Sequence, residues 1–217
     1  MIVVSGMPRS GSSLMMQTLQ HLGVPLVGVD DHDFQGNSYL HSQEVPEEDQ
    51  QRIAKHNPQG YYDIPFEEYK KYLKDLNLDK GIKLLGPIAP MMAPTKYIQK
   101  VILCDRRDRD AQALSFMRLA MLDVEVMDKE IEAGRLDPLS IRAKCIGSYR
   151  NLELQQFKNI VNFGSASIAR WWRDSKVKVF KIFYEDMLET PALSVRSIQK
   201  FLRISGSIEE AVNNIRI

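Results

Sequence analysis

The sequence predicts an α/β protein in which helices flank a central parallel sheet. Three observations favour this class. Short apolar segments rich in β-branched residues recur along the chain, helical patterns separate them, and a glycine-containing turn joins the first apolar segment to the first helical pattern. Strands that alternate with helices in this way are typical of a parallel sheet whose two faces are both covered.

Five segments are short and apolar enough to form buried strands. They are Ile2–Ser5, Val24–Val27, Ile82–Leu85, Val101–Asp105 and Val177–Phe183. Three further segments carry apolar residues on one helical face. The residues on these faces are Leu14, Met15, Thr18, Leu19 and Leu22 in the first, Phe66, Tyr69, Leu73 and Leu76 in the second, and Val195, Ile198, Phe201 and Leu202 in the third. Each helical face lies between or after predicted strands.

Two stretches interrupt this alternation. Asp30–Gln51 is polar, aperiodic and long for a plain connection, so we expect a lid or a binding loop there. Ala111–Trp172 is predicted to be mostly helical and forms an insertion between two strands, where it provides a wall for a second substrate. No stretch rich in Pro, Gly or Ser divides the chain, so residues 1–217 are predicted to form a single domain.

Composition limits the classes of function. Of the 217 residues, 44% are apolar and 26% are charged, as in ordinary globular proteins, and the formal net charge of +1 argues against a general binder of nucleic acid or acidic membranes. No run of about 18 or more apolar residues predicts a membrane span. The first strand begins at Ile2 without a basic leader, so we expect no signal peptide and a cytoplasmic protein.

The cysteines and histidines predict a reduced chain without a metal site. Cys104 and Cys145 are far apart in sequence, and we expect both to be buried thiols in a reducing compartment. The four histidines lack the close spacing of a zinc site, so no metal is predicted.

The turn after the first strand has the spacing of a phosphate-binding loop. Four residues separate Gly6 from Gly11, but Ser12 stands where a nucleotide kinase has its lysine, and Arg9 is the one cation in the turn. Backbone N–H groups at such a turn and at the following helix start bind anions. A group that carries less charge than a terminal phosphoryl group, as a sulfuryl group does, would need only one arginine there and no metal clamp. The alternative is a strand–turn–helix unit without a ligand.

The segment PRSGSS, Pro8–Ser13, resembles the 5'-phosphosulfate loop of the sulfotransferase family, and the opening stretch is similar to a short bacterial or phage-type branch of it. The resemblance implies a P-loop kinase-like sulfotransferase fold and transfer of a sulfonate group from 3'-phosphoadenosine-5'-phosphosulfate (PAPS). In this family the cation precedes the Ser-Gly pair, as it does here. The resemblance assigns donor binding to Arg9, Ser10, Gly11, Ser12 and Ser13.

A second motif follows the predicted strand Val101–Asp105. Asp108 is positioned to cap the next helix, with Asp110 in its first turn, and Ser115 returns to the same face about two turns later. An arginine at the strand end and this serine can clasp one phosphate; the alternative is a surface helix cap with solvated arginines. In sulfotransferases an Arg-x7-Ser pair holds the 3'-phosphate of PAPS, and Arg107 and Ser115 match its spacing.

Two further segments resemble the family near the reacting groups. Val177–Pro191 is similar to a late strand followed by Tyr-Glu-Asp, which implies that Tyr184 approaches the adenine; we expect Glu185 and Asp186 to be capping residues rather than catalysts. The segment GIKLLGP is similar to the strand whose lysine faces the transferred group, which nominates Lys83 as a catalytic residue beside the loop arginine. The alternative is a strand-edge lysine in solvent.

The acceptor proton needs a general base. The segment NPQGYYD, Asn57–Asp63, resembles an element of the bacterial branch that leads towards the acceptor site, and Asp63 stands where that branch has a glutamate. Asp63 is therefore the first candidate base, and His32 in the polar loop is the second. The alternative for Asp63 is a helix cap. In the steroid and phenol branch a histidine base stands two residues after the lysine, where this chain has Leu85.

Together these motifs predict transfer of sulfonate from PAPS to a hydroxyl or amine, without a metal, with 3',5'-diphosphoadenosine (PAP) as the product. The acceptor is expected to be a small molecule, a glycan or a peptide, and no nucleic-acid partner is expected. Two alternatives stay open: a P-loop kinase that phosphorylates a nucleotide or small molecule with ATP and magnesium, and a non-catalytic relative that binds the nucleotide without turnover. The serine at position 12 argues against the kinase.

Overall fold

The computed structural model describes residues 1–26, 80–86 and 95–215. This part of the chain contains one sheet of four strands. They are β1 (Ile2–Gly6), β2 (Gly81–Leu85), β3 (Lys100–Asp105) and β4 (Lys178–Phe183). The strand order is β2-β1-β3-β4, and every neighbouring pair is parallel. The predicted α/β class with a central parallel sheet is thereby confirmed.

Seven α-helices lie in the described residues. They are α1 (Ser12–His21), α2 (Arg109–Glu132), α3 (Ile141–Gly147), α4 (Leu154–Asp174), α5 (Tyr184–Glu189), α6 (Pro191–Leu202) and α7 (Ile208–Ile215). Helices α2 to α4 confirm that Ala111–Trp172 is mostly helical. The predicted helical face at residues 66–76 and the polar loop at residues 30–51 lie outside the described residues. None of the helices in the described ranges combines the length and apolar character needed to cross a bilayer.

The structure differs from the prediction at Val24–Val27, which was expected to be a strand. In the described part of this segment only Leu26 pairs with the sheet, through an isolated parallel bridge to Gly81. Pro25 has no N–H group to donate to a ladder, and this disfavours a regular strand through it. Its carbonyl accepts a hydrogen bond of 2.7 Å from the Gly81 N–H, which leaves one point of contact with β2.

The strand order creates a topological switch point between β1 and β3, at the carboxyl ends of the strands. From β1 the chain continues to β2 on one side, and it then crosses to β3 on the other side of β1. The connections that leave the carboxyl ends of β1 and β3 therefore run in opposite directions. In open α/β sheets, ligands bind in the crevice at such a point.

Contacts divide the chain into two compact units, Met1–Arg107 together with Gly164–Ile217, and Asp108–Phe163. The first unit contains the sheet. Consecutive residues of β1 and β3 are buried, as expected for strands that are covered on both faces. The main apolar cluster of this unit joins the sheet to α1, α6 and α7. Its members include Val4, Met15, Leu19, Ile102, Ile182, Val195, Ile198, Leu202 and Val212.

The second unit, Asp108–Phe163, has an apolar cluster of its own that is centred on three aromatic rings. The Phe116 ring meets the Tyr149 ring edge-on at 5.7 Å between centroids and the Phe157 ring at 5.4 Å. Tyr149 and Phe157 are stacked at 5.9 Å. These are favourable geometries for aromatic pairs, and they join the helices of this unit.

The prediction that both cysteines are buried is wrong for one of them. Cys104 is buried in β3, but Cys145 is exposed on α3, and both are free thiols. On α3, Ala143 is buried in the apolar cluster and Ile146 packs against it. Cys145 lies two residues after Ala143, about 200° around the helix, and therefore faces away from that cluster.

Candidate active site

The residues predicted to bind the donor follow three neighbouring strands at the points where those strands end. The loop Met7–Gly11 follows β1, Arg106 and Arg107 follow β3, and Tyr184 follows β4. Because the strands are parallel, these three ends lie on the same edge of the sheet. The loop and the two arginines flank the β1/β3 switch point, which is where a ligand is expected on topological grounds alone.

Two close contacts explain why the loop has glycine at both ends. A Cβ atom at Gly6 would lie 2.5 Å from the Ser10 hydroxyl and 2.6 Å from the Cys104 carbonyl oxygen. Gly11 has a φ of 89°, and a Cβ atom there would lie 2.7 Å from Cδ2 of Tyr184. Larger residues are therefore excluded at both positions, and the Tyr184 ring packs directly on the loop.

Helix α1 begins in a way that favours an anion. Its N-cap is Gly11, which supplies no side-chain acceptor, and its first turn contains no acidic residue. The first N–H groups of a helix have no acceptor within the helix, and they carry the positive end of its dipole. The hydroxyl of Ser10 is buried beside this helix start and has no hydrogen-bond partner. The N–H groups of the helix start fit the charged end of a phosphorylated nucleotide.

Arg9 has a left-handed backbone, with φ of 64°. This conformation costs a residue with a Cβ atom about 1–2 kcal/mol, so the surrounding loop must enforce it. Burial lowers the pKa of the Arg9 guanidinium, and the neighbouring charge of Arg106 lowers it further. The two arginines therefore repel each other, and a bound anion would relieve that repulsion.

Lys83 is buried, in contrast to the alternative of a solvated strand-edge lysine. It lies on β2 opposite Val4 of β1, and its side chain is 3% exposed. The Lys83 amine donates to the Ser13 hydroxyl at 3.4 Å, in the first turn of α1. A cation from the neighbouring strand therefore reaches the start of the helix that follows the glycine loop.

Arg107 is held by the acidic pair at the start of α5. Its Nη2 donates to Asp186 Oδ1 at 2.6 Å, and its backbone N–H donates to Glu185 Oε2 at 3.0 Å. The hydrogen bond with Asp186 is the largest cause of a raised pKa of Arg107. Glu185 and Asp186 lie in the first turn of α5 rather than at its cap, and they position the end of β3.

Ser115 and Arg107 belong to different compact units. Arg107 is the last residue of the sheet unit's first segment, whereas Ser115 lies in the second turn of α2 in the helical unit. The predicted cap of α2 is confirmed, since Asp108 Oδ1 accepts a hydrogen bond of 2.8 Å from the Ala111 N–H. The pairing of Arg107 with Ser115 on one phosphate stays a prediction.

Arg106 was not identified from the sequence. Its guanidinium lies over the Tyr184 ring, 4.9 Å from the centroid, and its Nε is 3.6 Å from Glu185 Oε1. The available signal was the doublet Arg106-Arg107 itself, which places two cations directly after the predicted strand Val101–Asp105.

The two candidate bases, Asp63 and His32, lie outside the described residues, and their roles stay predictions. Over residues 1–26, 80–86 and 95–215, no group of three or more His, Cys, Asp or Glu side chains has the arrangement of a metal site.

Three solved structures resemble the chain at low sequence identity. A retinol dehydratase in complex with androsterone and the inactive cofactor PAP has a TM-score of 0.49 at 14% identity, over 99% of this chain and 62% of that chain. A sulfotransferase from Alicyclobacillus acidocaldarius has a TM-score of 0.46 at 15% identity, over 95% and 83%. A retinol dehydratase complex with retinol and PAP has a TM-score of 0.43 at 13% identity, over 98% and 62%. This chain thus spans less than two thirds of the length of both retinol dehydratase chains.

Family membership follows from the sequence as a whole. No curated protein matches the chain at a significant level. The family model described as a sulfotransferase domain, in contrast, matches residues 1–217. That range includes the glycine loop, the β2 lysine, the arginine doublet and the segment after β4. The chain therefore belongs to the sulfotransferase family.

Proposed function

We propose that the protein is a sulfotransferase that takes its sulfonate group from PAPS and transfers it to a hydroxyl or amine, without a metal. One observation carries the proposal. The loop has a serine where a kinase has its lysine, and the buried amine of Lys83 reaches the same helix start from the neighbouring strand, 3.4 Å from the Ser13 hydroxyl. In the family resemblance Arg9 takes the place of the kinase-type loop cation, and Lys83 adds a second cation from β2 that faces the transferred group.

The residues around the loop fit the donor. The N–H groups at the start of α1, which has no side-chain cap, and the guanidinium of Arg9 would hold the 5'-phosphosulfate, together with the loop residues Ser10, Gly11, Ser12 and Ser13. Arg107 and Ser115 are proposed to hold the 3'-phosphate. Tyr184, which packs on Gly11, is proposed to contact the adenine. When bound, PAPS supplies an activated sulfonate group.

The chain's own residues would stabilise the charge that the transfer generates. Arg9 is proposed to neutralise negative charge on the leaving 5'-phosphate. Lys83 is proposed to neutralise the negative charge that develops near the transferred sulfonate group. The buried setting of Lys83 strengthens this interaction because little water screens it. A base has to accept the acceptor's proton, and Asp63, followed by His32, is the candidate.

The acceptor itself is proposed to be a small molecule, a glycan or a peptide with a free hydroxyl or amine. The predicted selecting regions are the polar loop at residues 30–51 and the helical segment that includes α2 to α4. A screen of acceptors in several chemical classes, followed by release of PAP from PAPS, tests this part of the proposal.

The 3'-phosphate separates this proposal from its alternatives, because ATP and AMP lack it. In Arg107→Ala, we expect the affinity for PAP to fall by about tenfold or more, while the affinity for AMP changes by less than about twofold. Calorimetric titration of both nucleotides measures this difference. Arg173→Ala, which removes an arginine that is 73% exposed on α4, is the matched control. Equal losses for PAP and AMP would contradict the assignment of Arg107.

A further inference from the structure

We propose that Arg106 is a second cation of the donor site and binds the 5'-phosphate end of the nucleotide from the β3 side. In this arrangement the two consecutive arginines divide the nucleotide between them, with Arg106 at the 5'-phosphate and Arg107 at the 3'-phosphate. The inference rests on the proposed function, and it adds a residue that lies outside the loop and the Arg-x7-Ser pair.

The two arginines point to different surroundings. Both follow Asp105, the last residue of β3, and lie between that strand and α2. The Arg107 guanidinium contacts Asp186 and lies 4.6 Å from the centroid of the Phe183 ring. The Arg106 guanidinium lies over the Tyr184 ring instead. Only one member of the pair is therefore engaged by the carboxylate of Asp186.

The Tyr184 ring connects Arg106 to the glycine loop. The Arg106 guanidinium lies 4.9 Å from the centroid of the Tyr184 ring, and the same ring packs against Gly11. The charge of Arg106 also contributes to the lowered pKa of Arg9, which lies in the loop. Arg106 is thus close to the residues that are proposed to hold the 5'-phosphosulfate.

Arg106 also has a donor to spare. Its Nε is buried without a hydrogen-bond partner and forms an ion pair with Glu185 Oε1 at 3.6 Å. The other oxygen of Glu185 accepts from the backbone N–H of Arg107 at 3.0 Å. The ion pair with Glu185 occupies the Nε side of the guanidinium, so the Nη groups are the donors that we propose for a ligand oxygen.

The ring beneath Arg106 gives the guanidinium a fixed plane. A planar guanidinium stacks on an aromatic face and presents its N–H groups in a fixed fork, which suits a phosphate. A lysine at this position would keep the charge but would lose both the stacking and the fork. Arg106→Lys therefore separates the effect of charge from the effect of geometry.

Three nucleotides distinguish the two arginines: PAP carries both phosphates, AMP only the 5'-phosphate and 3'-AMP only the 3'-phosphate. In Arg106→Ala we expect the affinities for PAP and AMP to fall by a similar factor, about 10- to 100-fold, with no change for 3'-AMP. In Arg107→Ala we expect losses for PAP and 3'-AMP and none for AMP. Arg106→Lys should recover part of the lost affinity for AMP. Calorimetry measures all of these affinities.

The outcomes separate this inference from the proposed function. If the unaltered protein binds none of the three nucleotides, the proposed function itself fails. If it binds them and Arg106→Ala leaves AMP binding unchanged, or weakens 3'-AMP instead, the inference about Arg106 is overturned while the proposed function stands. Thermal unfolding of each variant checks that it folds. Should Arg106→Ala not fold, Arg106→Gln, which keeps most of the side-chain volume, gives the same comparison.

Discussion

Replacing Gly11 by alanine tests whether the Tyr184 ring and the glycine loop form one surface. The new Cβ atom would lie 2.7 Å from Tyr184 Cδ2, whereas carbon atoms in contact are normally about 3.5 Å apart, so the ring has to move by roughly 0.8 Å. The left-handed φ of 89° adds about 1–2 kcal/mol for alanine, and the steric conflict adds about 1–3 kcal/mol. We therefore expect a loss of roughly 2–5 kcal/mol in the free energy of unfolding, together with weaker binding of AMP.

Gly23, just beyond the other end of α1, provides the matched control. Its φ is 78°, and a Cβ atom there would meet no atom within 4 Å. Gly23→Ala should therefore cost only the conformational term of about 1–2 kcal/mol and leave AMP binding unchanged. Urea unfolding and calorimetry compare the two variants. Equal effects of Gly11→Ala and Gly23→Ala on both measurements would refute the account of the loop.

Two further predictions concern the buried lysine and the cysteines. Lys83→Met keeps the side-chain volume but removes the charge, so we expect the rate of sulfonate transfer to fall by about 10²–10³-fold. The free energy of unfolding should change little, because burying an ammonium group is itself unfavourable. A variant with full activity would show that Lys83 has no part in the mechanism. In the native protein one thiol, Cys145, should react with a thiol reagent, because Cys104 is 3% exposed and burial raises the pKa of its thiol. Two fast-reacting thiols would show that β3 opens.

The strands were the most predictable part of the fold, and the exception has a local cause. Runs such as Val101–Asp105 are apolar, β-branched and free of proline, and they form strands within one residue of the expected bounds. The apolar run that contains Pro25 has the same hydropathy but lacks one N–H group, and it makes a single bridge. Hydropathy alone does not distinguish these two segments, whereas counting the backbone N–H donors that each can offer to a neighbouring strand does.

The sequence also singled out the individual segments of the candidate site, but not the contacts between them. The glycine spacing indicated the loop, and the family resemblance nominated Lys83 and Tyr184, whose roles stay predictions. The contact of Arg107 with Asp186 joins residues 79 positions apart, and no local pattern encodes it. The direction of Arg106 likewise depends on its contact with the Tyr184 ring, 78 positions away in the chain.

Calorimetric titration of the unaltered protein with PAP and with ATP, each with and without magnesium, tests the central claim most directly. If the loop, Lys83 and the arginine doublet form a site for a 3'-phosphorylated nucleotide, PAP binds more tightly than ATP, and magnesium does not alter its affinity. Tighter binding of ATP that depends on magnesium would contradict the proposed sulfotransferase and favour the kinase.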